Sequence, residues 1–352
     1  MVRLIINKDK LLKGSKSASQ EKLGQKSEVK VLKERKMTLG WLSALSPGLR
    51  QKLCESSGSR LAEFEEIRLR IGRPLILRLG QTELTIDNDN RLSSELKKGY
   101  IISKAELERN LEILSQGSLY AWEDEFKNGY LTIPGGHRVG FVGRGVLDKG
   151  VIRTIRDISG FNYRISREVP GCADEVLPYV IENQHVFHTL IISPPQCGKT
   201  TLLRDMVCQI SDGIEKMGFG GVNVGLVDER SELAGIYEGQ PQFHIGLRTD
   251  VLDACPKAQG MIMLIRSMSP RVVATDEIGK PEDVEAVYEA LQTGVSVLTT
   301  IHGSNLEEIK KRPFLRKLLN WQFFERIVLL SRRDGPGTIE AVYDGKTLER
   351  MK

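Results

Sequence analysis

The sequence predicts an α/β protein, a parallel sheet covered by helices, preceded by a smaller α+β domain. Three observations carry that expectation. Apolar runs of strand length at 186–192, 222–227, 272–275 and 295–301 alternate with helical stretches at 200–210, 258–268, 282–292 and 304–311, the rhythm of βαβ units. Upstream of residue 168 the grammar differs, with short alternating strands and Gly-rich turns. A chain of 352 residues also exceeds what one hydrophobic core ordinarily serves.

Residues 1–36 hold eleven Lys or Arg against four Asp or Glu, a net charge of +7, whereas the remainder nets −2. Large apolar residues are few there, so the expectation is a disordered or weakly helical tail. It reads either as a solvated extension or as an electrostatic contact with an anionic surface. From Met37 onward, Trp41, Leu42, Leu45, Leu49 and Leu53 recur at helical spacing. In "EEIRLRIGRPL", Ile67, Leu69 and Ile71 alternate with Arg68 and Arg70, as a strand requires. Ser103 followed by Glu106 is a capping-box pattern opening a helix. "NGYLTIPGGHRVGFVGRGVLDKG" reads as strand, turn, strand, turn. The first domain therefore spans 37–168, Pro170 and Gly171 punctuate the boundary, and the second domain spans 169–352, closing in an antiparallel hairpin around "DGPG". No apolar run approaches the roughly 18 residues of a membrane span, and no secretory leader is expected. The five cysteines (Cys54, Cys172, Cys197, Cys208, Cys255) contain no C-x-x-C pair, which argues against a disulfide framework and a structural zinc site, and for a reducing compartment.

The chemistry concentrates in "HTLIISPPQCGKTTLLRDM". An apolar strand, Leu190–Ile192, enters a turn, and Gly198-Lys199-Thr200 opens a helix with Leu202 and Leu203 on its buried side. This is the phosphate-binding loop pattern G-x-x-x-x-G-K-[ST] in its strand–loop–helix setting, with Ser193 standing at the first Gly. The candidate nucleotide-binding set is Ser193, Pro194, Pro195, Gln196, Cys197, Gly198, Lys199, Thr200 and Thr201. Successive amides and the helix dipole hold polyphosphate, Lys199 reaches the β- and γ-phosphates, and Thr200 ligates Mg²⁺. In "PRVVATDEIG", Asp276 and Glu277 stand at a strand's carboxyl end, Asp276 for the metal's water shell and Glu277 to polarise the attacking water. "VGLVDERSEL" stays open between two readings. Either Asp228 joins the metal site and Glu229 the catalytic acids, or they form a surface charge cluster with Arg230 and Glu232. His302, after "VSVLTTI", is a candidate contact for the γ-phosphate. Arg248 and Arg266 are candidates for a cation lent across a subunit interface, or ordinary surface ion pairs.

With these residues in view, 270–305 ("SPRVVATDEIGKPEDVEAVYEALQTGVSVLTTIHGSN") is similar to the secretion-superfamily ATPases, the motors of type II and type IV secretion and of pilus extension and retraction. "LVDERSE" falls where that family carries an acidic box. From Met37 to about residue 335 the chain resembles a sporulation branch of the superfamily, through "EIRLRIGRPL", "GYLTIPGGHRVGFVGR", "SPPQCGKTTLLRDM", "GLVDERSELAG", "IGLRTDVLDACPKAQGMIMLIRSMSP" and "DEIGKPEDV". The resemblance implies a RecA-like P-loop domain and a slow ATPase with ATP and Mg²⁺ as its cofactors. It further implies a cytoplasmic homo-oligomer, expected to be a hexamer. The ring would dock peripherally on membrane proteins of a secretion-like channel between mother cell and forespore. By the same analogy Arg138, Arg144 and Arg164 would reach the phosphates. Two other functions stay open: a nucleotide-gated assembly scaffold and, from the basic tail, a nucleic-acid-stimulated ATPase. The nearly neutral body speaks against the latter.

Overall fold

A computed structural model describes residues 39–116, 129–313, 316 and 322–352; the tail expected over 1–36 lies outside the described residues. The chain divides into two compact units, Met1–Ile165 and Ser166–Lys352.

In the first unit, β1 (Glu66–Arg70), β2 (Ile76–Leu79), β3 (Thr82–Ile86), β4 (Leu92–Ser93), β5 (Tyr130–Ile133), β6 (His137–Asp148) and β7 (Val151–Arg164) form one sheet in the order β4-β3-β2-β1-β7-β6-β5. Every neighbouring pair is antiparallel. The alternation in β1 buries Ile67 and Leu69 in a core shared with Trp41, Leu49, Leu53 and Tyr163. Ile71 departs from that expectation. The strand ends at Arg70, and Ile71 is exposed beside a left-handed Gly72. The helix expected from Met37 is also split. A 3₁₀ turn at Gly40–Ala44 precedes α1 (Pro47–Ser57), because Pro47 is tolerated only in a first turn. α2 (Lys104–Leu114) begins as its cap predicts, with the Ser103 side chain accepting from the Glu106 N–H at 3.1 Å. The box stays half-closed, since the Glu106 carboxylate accepts instead from the Tyr100 hydroxyl.

In the second unit a two-strand ladder, β8 (Ile181–Glu182) and β9 (His185–Val186), precedes a larger sheet. That sheet comprises β10 (Thr189–Ser193), β11 (Val224–Asp228), β12 (Thr249–Asp253), β13 (Val272–Thr275), β14 (Ser296–His302), β15 (Arg326–Ser331) and β16 (Thr338–Asp344), ordered β12-β11-β13-β14-β10-β15-β16. All pairs are parallel except the closing β15–β16 hairpin. Helices α3 (Lys199–Asp212), α4 (Lys257–Met268), α5 (Pro281–Gln292) and α6 (Leu306–Lys310) supply the crossovers. Leu202, Leu203 and Met206 of α3 enter one apolar cluster; Met261, Leu264, Val284 and Val287 of α4 and α5 enter another. Strands covered on both faces must be apolar throughout, which is why β10, β11 and β13 are buried at every residue. The strand after the acidic segment, β14, is inserted between β10 and β13, giving a RecA-like P-loop domain. Among the described residues no helix is long and apolar enough to cross a membrane.

Candidate nucleotide-binding site

The bend between β10 and α3 takes its shape from two left-handed residues, Gln196 (φ 58°) and Gly198 (φ 86°). Ser193, where the pattern has Gly, is instead the buried last residue of β10, and its hydroxyl donates to the Pro194 carbonyl at 2.9 Å. No positive φ is needed there. Pro195 and Gln196 are exposed, while Cys197 is buried, so it is the backbone rather than the thiol that this bend presents. The Gly337 N–H donates to the Cys197 carbonyl at 3.0 Å, and a Cβ on Gly198 would come within 3.2 Å of the Gly337 nitrogen. Thr200 and Thr201 are half-buried in the first turn of α3.

Strand order brings the distant candidates to this bend. Ser193 of β10 pairs in register with His302 of β14, and the Ile278 N–H donates to the Thr300 carbonyl, which ties the segment after Asp276 and Glu277 to the same strand. The Lys199 ammonium consequently lies 2.8 Å from His302 Nδ1 and 3.2 Å from Nε2. His302 Nε2 in turn lies 2.9 Å from Glu277 Oε2. Burial lowers the Lys199 pKa, opposed chiefly by the charge of Glu277. A buried ammonium at the start of a helix, where the dipole also disfavours a cation, is a group that gains from an arriving anion.

A second cluster lies at the tips of β11 and β13. Lys257, buried at the start of α4, pairs with Glu229 and sits 3.5 Å from Asp276 Oδ1. Burial alone would lower the Lys257 pKa, but Asp276 and Glu229 raise it. Asp276 is 7% exposed and its Oδ1 has no hydrogen-bond donor. Burial pushes its carboxyl up to about 7, against the pull of Lys257. A buried carboxylate oxygen that accepts no hydrogen bond, with an ammonium at ion-pair distance, has lone pairs to offer the water shell of a divalent cation. Sequence reasoning missed Lys257. Its one signal was a Lys directly after Cys255-Pro256 at a helix start, a position that a cation occupies at a cost unless acids face it.

The sign of the Asp276 contribution follows from that shift. Between the ordinary carboxyl value and about 7 the folded chain keeps a proton that the unfolded chain releases, so stability falls as pH rises through this window. Asp276→Asn is expected to flatten that part of the profile, measured as a smaller gap between melting temperatures at pH 5 and pH 8.

A family model described as sporulation stage III, protein AA matches residues 34–350. The chain belongs to this family. It is 44% identical over 309 residues to stage III sporulation protein AA of Bacillus subtilis (strain 168), spanning 87% of this chain and 95% of that protein. It is 31% identical over 166 residues to the uncharacterized protein ycf45 of Cyanidium caldarium, 46% of either chain. Among solved structures it overlaps the Legionella pneumophila ATPase DotB with a TM-score of 0.49 and 16% identity, covering 76% of this chain and 72% of that one. The pilus retraction motor PilT with bound ADP overlaps at 0.46 and 14%, covering 76% and 74%.

In this sporulation stage III family member, several candidates make contacts outside the Lys199–His302–Glu277 cluster. Asp228 is fully buried. Its Oδ1 accepts from the Glu232 N–H at 2.8 Å, and its Oδ2 from Leu233 and Ala234 at 2.9 and 2.8 Å. Asp228 therefore clamps the 228–234 turn, three amides converging on its two oxygens, and this geometry lends no support to the metal role expected for it. Arg204 of α3 fastens the same turn, donating to the carbonyls of Leu233 (2.7 Å) and Glu232 (2.5 Å) and stacking on Phe243. Glu229 is not a solvated strand-tip acid but the partner of Lys257. Arg248 donates through Nη1 to the carbonyls of Ser211 (2.7 Å) and Asp212 (3.3 Å), closing the carboxyl end of α3. That end is about 20 Å along the helix from Lys199 at 1.5 Å per residue, so within one chain Arg248 stands apart from the Lys199 cluster. Arg266 is exposed in the last turn of α4, on a groove with Met263, Glu282, Glu285 and Glu289, outside the Lys199 cluster. Of the first unit's arginines, Arg138 and Arg164 pair across β6 and β7 with Arg138 stacked on Tyr130, and Arg144 is exposed opposite Arg156.

Proposed function

We propose that the chain is a Mg²⁺-dependent ATPase that works as a cytoplasmic homo-oligomeric ring, a hexamer, on membrane proteins of a secretion-like channel formed during sporulation. The carrying observation is the convergence of Lys199, at the start of α3, with His302 and Glu277 near the carboxyl ends of adjacent parallel strands, beside the bend at 193–198. Family membership and the name of the Bacillus subtilis relative support the sporulation setting.

The roles follow from the positions. Pro194 and Pro195 have no N–H to offer, so the amides of Gln196, Cys197 and Gly198 and those at the start of α3 grip the phosphates, and Lys199 leaves His302 for their oxygens. Bound Mg²⁺ would supply charge neutralisation across the β- and γ-phosphates, with Thr200 and Asp276 as the residues to hold it. Glu277, released from the histidine, orients and deprotonates the attacking water, and His302 reports the γ-phosphate to it. Glu277→Gln is expected to retain ATP binding and to slow hydrolysis at least about a hundredfold, read by single-turnover assay. Hydrolysis left intact in both Glu277→Gln and Lys199→Ala would refute the reading.

One observation favours the scaffold alternative. In the conformation described, the phosphate-seeking Lys199 and the acid Glu277 both engage His302, so the resting arrangement satisfies itself. Sporulation restored by Glu277→Gln in a host lacking its own copy would decide for nucleotide-gated assembly over turnover.

A further inference from the structure

At the opposite end of α3 from the nucleotide site, three side chains of different chemistry meet. Cys208 and Asp212 lie one turn apart on the helix, and His244 comes from the segment leading to β12. Cys208 Sγ is 2.9 Å from His244 Nδ1 and 3.8 Å from Asp212 Oδ2, and the imidazole and carboxylate atoms are 3.9 Å apart. A tetrahedral zinc ion holds sulfur at about 2.3 Å and nitrogen or oxygen at about 2.0–2.2 Å, so its ligand atoms lie about 3.5 Å from one another. The observed triangle straddles that value.

The second layer is built. The Leu247 N–H donates to Asp212 Oδ1 at 2.6 Å, leaving Oδ2 to face the thiol and the imidazole. The His244 N–H donates to Glu168 Oε1 at 2.6 Å, and the Arg248 N–H to the Ser211 hydroxyl at 2.7 Å. Gly246, at φ 90°, presses against the helix so closely that a Cβ would come within 2.4 Å of the Ser211 Cβ. The segment is thereby fixed against the helix before any ion arrives, which is what a metal site requires of its supporting residues. Burial first, and then the charges of Asp212, Asp205 and Glu168, push the Cys208 thiol up to about 12, so the thiolate forms only when a cation takes the place of its proton, and the same charges attract that cation.

We infer that Cys208, Asp212 and His244 form a binding site for a thiophilic divalent cation, zinc being the first candidate. Thiolate and imidazole select zinc over the magnesium of the nucleotide site. On binding, the Cys208 S–H bond breaks, its proton goes to solvent, and the sulfur electron pair goes to the metal. Thiolate and carboxylate then balance the two positive charges around a neutral imidazole. The fourth position is left for water. The absence of a C-x-x-C pair argued against structural zinc, but Cys208 and His244 are separated by 36 residues in sequence and only the fold brings them together. The inference is independent of the ATPase reading.

The test uses reduced, chelator-treated full-length protein titrated with Co²⁺. The expected result is saturation at one equivalent. It should show a near-ultraviolet thiolate-to-cobalt charge-transfer band and tetrahedral visible absorption, both abolished by Zn²⁺. Cys208→Ser should remove the charge-transfer band. His244→Gln, at a ring with its side chain 66% exposed, should leave the fold intact and weaken binding at least about tenfold. Zinc at about a hundredfold excess over its Kd should raise the melting temperature by about 5 °C or more. No band at micromolar Co²⁺, or a band that survives both substitutions, would overturn the assignment and leave a Cys–His hydrogen bond only.

Discussion

Replacing Lys199 with alanine is expected to lower ATP affinity at least about a hundredfold while leaving the nucleotide-free protein as stable as before, or slightly more so. The two halves of this prediction come from one fact. Lys199 is 9% exposed as a residue, its ammonium faces a histidine ring, and burial holds it below its ordinary pKa. Its removal takes away a charge that the empty site solvates poorly, so folding loses little. Binding loses much, because an ammonium bonding phosphate oxygens contributes about 1.5–3 kcal/mol per bond, and two such bonds correspond to a hundredfold or more. Isothermal titration with an ATP analogue, beside a thermal melt without nucleotide, reads both. Unchanged affinity would remove the phosphate role from the bend.

Asp228→Asn should behave in the opposite way. Three backbone amides converge on the two carboxylate oxygens inside a fully buried turn. The amide keeps one acceptor oxygen and turns an NH₂ toward at least one of those N–H groups. At about 1.5–3 kcal/mol for each bond to a charged acceptor, a loss of about 3 kcal/mol is expected. For a domain of this size that is a fall of roughly 6–12 °C in melting temperature. The Mg²⁺ concentration for half-maximal hydrolysis should not move. A metal-ligand role would give the reverse, a stable fold with a shifted magnesium requirement.

The contrast between Asp228 and Asp276 marks where the sequence stops being informative. Both follow an apolar strand and both look alike in one dimension. The difference is that amides of the 228–234 turn fold back over the first, whereas Oδ1 of the second has no donor. The parallel strands β10, β11, β13 and β14 were legible because burial on both faces demands unbroken apolar runs. The edge strand β12 was not, since "TDVLD" is half-buried throughout and carries two acids. β7 escaped notice for a related reason: its outer half exposes Val151 and Ile152, so no core face imposes a pattern. In the site, Gly198-Lys199-Thr200 and Asp276-Glu277 could be read because their spacing is local. The pairing of Lys257 with Glu229 and Asp276, and the meeting of Cys208 with His244, depend on crossovers that no local window contains.

The contact of Gly337 with Cys197 and Gly198 gives the phosphate bend a wall drawn from the other side of the chain. A motif that reads as complete within nine letters is thus finished only when the closing hairpin docks, about 140 positions later. During synthesis, a chain extruded no further than β15 owns the letters of the motif without that flank of its cradle, and closure of this loop is a late, non-local step in maturation.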